Sequence, residues 1–178
     1  MRLILSSLIA LAAVQPALQP AQAPHTIDAR QLTVTTSHSP VVAASGAKVS
    51  LLVDVFPKPK MHVYAPEQKG GYIRIELVLD KHASITPARA VFPKASDYYF
   101  APLEETFKVY DAPFRIRQDV TLARPAKPVT ITGTLRYQAC DDLVCYRPDE
   151  VKLSWTIGPG RTAVRAILRP CRDPPRSI

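Results

Sequence analysis

Four stretches of this chain alternate apolar and polar side chains with a period of two. Val49, Leu51, Val53 and Val55 point one way against Lys48, Ser50 and Asp54, and Ile73, Ile75, Leu77 and Leu79 alternate with Arg74, Glu76 and Asp80. Farther along, Val129, Ile131, Leu135 and Tyr137 alternate with Thr130, Thr132, Thr134 and Arg136, and Val151, Leu153, Trp155 and Ile157 with Lys152, Ser154 and Thr156. Successive side chains of a strand lie on opposite faces, so this pattern predicts antiparallel strands with one face on a core and one in water. Shorter runs at 32–36, 62–64, 108–110 and 114–117 predict further strands. Seven to nine short strands, with no amphipathic helix among them, predict an all-β, antiparallel β-sandwich of two sheets; a closed barrel is the competing architecture.

Composition places the connections and the ends. The 178 residues include 18 prolines and only 6 glycines. Paired prolines at 56–60 and 124–128 mark inter-strand connections, because proline cannot serve in a central strand. Gly158-Pro159-Gly160 breaks the last strand, so the sandwich domain is expected over 24–160, long enough to bury a real core. Ahead of it, Arg2, an apolar run over 3–14 and the small residues Ala21 and Ala23 read as a signal peptide over 1–23. The run is shorter than a membrane span, and an uncleaved anchor is the alternative. Export would put the mature chain in the periplasm or another oxidising compartment, where disulfides persist.

The net charge of +8 raises the question of nucleic acid, and its distribution answers against it. Five arginines, opposed only by Asp173, crowd 161–178 and supply half of the excess. The remaining basic residues are interleaved with acids and form no stripe with stacking aromatics, so no nucleic-acid partner is expected. Arg161, Arg165 and Arg169 fall at helical spacing beside Val164, Ile167 and Leu168. That spacing suits weak contact of the 161–169 tail with an anionic membrane surface; a solvated tail is the alternative, since so short a helix is marginal alone.

The chemistry concentrates where Cys140 and Cys145 flank Asp141-Asp142-Leu143-Val144, at the join between the two best-patterned strands. Facing positions across a hairpin suit a disulfide. Closing so small a loop stabilises by only about 2 kcal/mol, so spacing alone leaves a structural clasp and an exchange site both open. His25, His38, His62 and His82 are scattered, two thiols without a nearby histidine make no zinc pattern, and Met61 is the one internal methionine, so neither metal nor other cofactor is expected. Asp141 and Asp142 disfavour a thiolate beside Cys140, Arg136 and Arg147 partly offset them, and no CxxC is present. Thiol pKa values are therefore expected to be ordinary or raised, which suits a relay better than an initiator of exchange.

The run Leu135-Arg136-Tyr137-Gln138-Ala139-Cys140-Asp141-Asp142-Leu143-Val144-Cys145-Tyr146-Arg147-Pro148, followed by Val151-Lys152-Leu153-Ser154-Trp155, resembles the N-terminal periplasmic domains of the thiol:disulfide interchange protein DsbD family. Met61-His62-Val63-Tyr64-Ala65-Pro66 with Gly70-Gly71-Tyr72, then Phe92-Pro93 and Val109-Tyr110, extend the likeness over roughly 30–158. The resemblance implies an immunoglobulin-like sandwich with a redox-active disulfide. It implies electrons passing from a thioredoxin-like or membrane-embedded donor to oxidised periplasmic protein clients, a protein-disulfide reductase activity. By similarity, Cys145 forms the mixed disulfide with partners and Cys140 resolves it. Tyr64 maps onto an aromatic lining the family's site, and His62 shares its face. Phe100 or Leu103, in the stretch 98–105, takes the place of the family's cap over the sulfurs, while Asp141, Asp142 and Tyr146 surround the pair.

Two departures accompany the likeness. The best-known member of the family carries one more residue between its cysteines, so the hairpin tip is expected to differ. Full-length members also continue into a multi-span membrane domain and a thioredoxin-like domain, so separately encoded partners are expected here, with a purely binding sandwich as the rival. Cys171, flanked by Arg169 and Arg172, is either an intermolecular cross-linker or an idle exposed thiol.

Overall fold

A computed structural model describes residues 24–40, 46–123 and 128–158. The signal segment, the basic tail with Cys171 and the connection 124–127 lie outside the described residues. Twelve strands run through the described residues: β1 (His25–Asp28), β2 (Leu32–His38), β3 (Lys48–Pro57), β4 (His62–Tyr64), β5 (Glu76–Leu79), β6 (Ile85–Pro87), β7 (Ser96–Phe100), β8 (Glu105–Tyr110), β9 (Phe114–Leu122), β10 (Val129–Tyr137), β11 (Ala139–Cys140) and β12 (Asp149–Ile157). They form three antiparallel sheets, ordered β1-β2-β3-β9-β6, β12-β10-β5 and β11-β4-β8-β7. The fold is the all-β, antiparallel class that the alternation predicts, of the immunoglobulin-like kind that the family resemblance implies, with three sheets among the described residues where two sheets of seven to nine strands were expected.

The alternating residues make the core. Val34, Leu51, Val53, Val55 and Ile116 from the five-stranded sheet meet Ile131, Leu135, Leu153, Trp155 and Ile157 from the three-stranded one, all of them essentially buried. Their polar neighbours in sequence face outward, as the two-residue pleat requires. Two hydrogen bonds tie the layers together: the Trp155 indole Nε1–H donates to the Leu52 carbonyl at 3.3 Å, and the Thr36 hydroxyl to the Ser154 carbonyl at 3.2 Å. Both carbonyls belong to strands, so a buried donor is satisfied at no cost to packing.

The strand expected over 73–79 is shorter than its pattern. Pairing with β10 covers only Glu76 to Leu79, and the Ile75 N–H turns to the Tyr64 carbonyl at 2.8 Å. Ile75 stays buried, so the side-chain alternation survives while the backbone changes partner. Gly133 lets β5 approach: a Cβ there would lie 2.7 Å from the Val78 carbonyl oxygen. Another difference concerns 96–100, which the sequence leaves as a cap loop and which forms β7 against β8. Polar Ser96 on the face of Tyr98 and Phe100, and aromatic Tyr99 on the outward face, break the alternation that would have marked it.

Between β10 and β11 the chain leaves the three-stranded sheet and joins the four-stranded one. The register shows how. Tyr137 pairs with Asp149, yet the Ala139 carbonyl accepts from the Tyr146 N–H at 2.9 Å, so Gln138 alone stands opposite Arg147 and Pro148. One residue against two is a bulge, and proline fits it because no N–H is required there. The bulge turns the hairpin tip away from the sandwich and delivers Cys140 to the edge of a second, smaller cluster of Tyr64, Phe107 and Val109.

Candidate functional site

Cys140 and Cys145 form a disulfide with their Cα atoms 4.0 Å apart. The two ends of the bond have different surroundings. Cys140 is 2% exposed and sits on β11 opposite His62 of β4, whereas Cys145 is exposed on the returning arm of the hairpin. A single sulfur is therefore open to an approaching thiolate.

Asp141 builds the tip between them. Its Oδ1 accepts the backbone N–H groups of Leu143 and Val144, each at 2.8 Å, and its Oδ2 accepts the Tyr146 hydroxyl at 2.8 Å. The Asp141 N–H donates to the Val144 carbonyl at 2.9 Å, closing the turn. The backbone donors, then Tyr146, hold the Asp141 carboxyl below the usual aspartate value. A carboxyl depressed in the folded state contributes stability that is present above its unfolded pKa and is lost as pH falls through the lower folded value. The Leu143 and Val144 amide resonances are accordingly expected to titrate together with a midpoint below that of an ordinary aspartate; a midpoint at or above it would contradict this arrangement. Asp142 is used differently: the Tyr98 hydroxyl donates to its Oδ1 at 2.8 Å, tying β7 to the tip.

Aromatic rings form the floor. The Tyr64 hydroxyl lies 3.3 Å from the sulfurs of both Cys140 and Cys145. A disulfide sulfur carries no hydrogen, so the hydroxyl is the donor in each contact. Burial, ahead of the neighbouring Tyr72 and Glu105, pushes the Tyr64 hydroxyl up to about 12, and it stays protonated wherever thiol exchange is practicable. Tyr72 packs against Tyr64 with its ring tilted and ring centres 4.8 Å apart, and Phe107 meets Tyr64 edge-on at 5.5 Å. His62 is buried with its ring 4.3 Å from that of Tyr98. Burial keeps its pKa below the ordinary histidine value, against the upward pull of Asp142, Asp111 and Asp141.

Phe100 and Leu103, from the end of β7 and the 3₁₀ turn Ala101–Leu103, close the roof. They line a cavity of about 110 Å³ together with His62, Tyr64, Asp141 and both cysteines. The structure thus gathers Tyr64, His62, Phe100, Leu103 and Asp141 around the disulfide, with Asp142 and Tyr146 in the hydrogen bonds that shape the tip. Leu143 and Val144 line the same pocket at its rim, where they are 85% and 53% exposed, an apolar tip flanking Cys145. Sequence reasoning passed over Tyr72, Tyr98 and Phe107 as site residues. Phe107 carried a signal, since it continues the alternation of Val109 one step upstream, but Tyr72 lies on no strand and only the fold brings it to Tyr64.

Comparison with known proteins adds a family. The family model described as "Thiol:disulfide interchange protein DsbD, N-terminal" matches residues 29–156. Among solved structures, the N-terminal periplasmic domain of ScsB from Proteus mirabilis is similar in fold, with a TM-score of 0.52 and 16% identity over 78% of this chain and 52% of that one. This chain therefore spans about half of the ScsB domain. The Neisseria meningitidis DsbD N-terminal domain in its reduced form aligns with a TM-score of 0.43 and 17% identity over 70% of this chain and 89% of that one. No curated protein sequence matches.

Proposed function

Given that this chain belongs to the family of the N-terminal domain of the thiol:disulfide interchange protein DsbD, we propose that it is a periplasmic electron relay working through Cys140 and Cys145. The observation that carries the reading is the asymmetry of the bond: Cys145 is exposed, Cys140 is buried, and a protonated Tyr64 hydroxyl reaches both sulfurs. A reduced thioredoxin-like or membrane-embedded donor presents a thiolate, which attacks the Cys145 Sγ in line with the S–S bond. A new sulfur–sulfur bond forms to Cys145, the old one breaks, and the electron pair leaves on the Cys140 Sγ. Tyr64 donates to that nascent thiolate in a pocket largely shielded from water, where such a bond is worth more than in solution. The donor's second thiol then displaces Cys145 and leaves the donor oxidised. Cys140 and Cys145 become a dithiol holding the two electrons and, after protonation, two protons. The same steps in reverse order pass them to the disulfide of an oxidised client.

Asp141 and Asp142 fit a relay, because negative charge beside the thiols discourages idle thiolate and leaves activation to the docked partner. The exposed Leu143 and Val144 supply apolar surface for that docking. Domain limits of 24–160, with a signal peptide before and a basic tail after, belong to the same proposal.

Incubation of the oxidised protein with a reduced thioredoxin-type protein tests the reading. The Cys140–Cys145 bond is expected to equilibrate within minutes, by quantitative thiol labelling. A bond that stays intact under a large excess of reductant would make it a clasp on a binding domain. Within the relay, Tyr64→Phe removes one hydroxyl and keeps the ring. A hydrogen bond to a charged group contributes about 1.5–3 kcal/mol, so reduction is expected to slow by about 10- to 100-fold. Unchanged kinetics in a folded Tyr64→Phe protein would remove Tyr64 from the chemistry.

A further inference from the structure

A second feature lies on the open side of the sandwich. An open cleft of about 510 Å³ runs between β5 and the segment 88–92, with Leu77 and Phe92 among its apolar walls and three arginines, Arg74, Arg89 and Arg136, against one carboxylate, Glu76, as its charged ones. Among the described residues, strand β5 is the edge of its sheet, with β10 on one side and no strand on the other. The Asp80 N–H donates to the Thr132 carbonyl of β10 at 2.9 Å, while the Ile75 N–H points the opposite way, to Tyr64. Backbone groups alternate along an antiparallel strand, so Leu77 and Leu79 direct theirs away from β10, over the cleft side. The opposite wall is firm: Val91 and Arg117 exchange both backbone hydrogen bonds, at 2.7 and 3.0 Å, and Ala88 donates to the Asp119 carbonyl at 2.8 Å.

The charges on the cleft are unequally matched. Arg136 stands between Glu76 and Glu150 across its sheet, with Glu150 3.9 Å away. Among the described residues, Arg74 reaches only the Pro66 carbonyl, at 3.5 Å, and Arg89 has no carboxylate partner. Gln118, on the same wall, donates to the Ala88 carbonyl through Nε2 but leaves its buried Oε1 unpaired, the one such side-chain atom among the described residues. A bare strand edge, an apolar trough and two unneutralised guanidiniums are the recognition elements for an extended polypeptide with carboxylates.

We propose that this cleft is a docking groove for an extended, acidic segment of a partner protein, which adds to β5 as a further strand and sets its carboxylates on Arg74 and Arg89. Alternate apolar side chains of the segment face Leu77 and Phe92. The groove shares Tyr72 with the disulfide pocket, so a partner held there is anchored beside the sulfurs.

The test uses the full chain with its disulfide intact and a fluorescent acetyl-Asp-Val-Glu-Val-Asp-amide peptide, followed by anisotropy. Saturable binding that weakens as salt rises is expected. Arg89→Glu reverses an exposed charge and is expected to weaken binding by about tenfold, summed over the carboxylates it faces, with thermal unfolding unchanged. Replacing the peptide's acids with lysine should abolish binding, and N-methylating its two central amides should abolish it as well. Equal binding of the lysine peptide, of the N-methylated peptide or by the Arg89→Glu protein would overturn the proposal, as would equal competition by free glutamate. None of these results bears on the exchange chemistry, because the Cys140–Cys145 bond stays closed throughout.

Discussion

Replacing Cys140 with alanine is expected to turn the proposed relay into a trap. Cys145 keeps its exposed position and still attacks a client disulfide, but no second thiol remains to break the mixed disulfide that results. Covalent adducts through Cys145 should accumulate in the periplasm and disappear on treatment with a small reductant, as seen on non-reducing gels followed by mass mapping. Cys145→Ala should form none, because the surviving thiol is the one 2% exposed. Turnover as a protein-disulfide reductase is expected to fall by at least about a thousandfold in either variant, since the two sulfurs act as a unit and loss of either removes the covalent route. Adducts through Cys140 in the Cys145→Ala protein would reverse the assignment of roles, and adducts in neither would end the relay reading.

The second large effect concerns the scaffold. Trp155 is fully buried at the meeting of the five-stranded and three-stranded sheets, and its indole satisfies the Leu52 carbonyl. Trp155→Ala removes the largest buried side chain of the core and leaves a cavity that β-strands cannot readily collapse around. A loss of about 3–5 kcal/mol is expected from large-to-small substitutions of this kind, out of a total stability on the order of 5–15 kcal/mol. Chemical denaturation should show a lowered midpoint with little change in slope. The exchange rate of the protein still folded should be nearly unaffected, because Trp155 belongs to the main core and the sulfurs to the smaller cluster around Tyr64. A loss below about 1 kcal/mol, the usual range for surface changes, would mean that the core does not depend on this ring.

The fold class and most of the strands were legible in the sequence because each strand has one dry face and one wet one, and that requirement writes itself as alternation. Val49 to Val55, Val129 to Tyr137 and Val151 to Ile157 carried it clearly, while the Cys140-to-Cys145 segment marked the place of the candidate chemistry through its family resemblance, its spacing alone leaving a clasp and an exchange site both open. The pattern over 73–79 was legible as burial but misleading as pairing. A pleat records which side faces the core and says nothing about which neighbour receives the backbone N–H.

What the tertiary structure alone decided is which groups meet. The bulge opposite Gln138 moves the tip from one sheet to another, so the two cysteines acquire unequal exposure. Tyr72, from a segment with no regular structure, and Phe107, from β8, converge on Tyr64, whose hydroxyl then reaches both sulfurs. Asp141, read from the sequence as a nearby charge, is foremost the residue that folds the tip, through bonds to Leu143, Val144 and Tyr146. Local pattern is set by each residue's own preference for water or core. A site is set by distances between residues far apart in the chain, and those exist only after the sheets have packed.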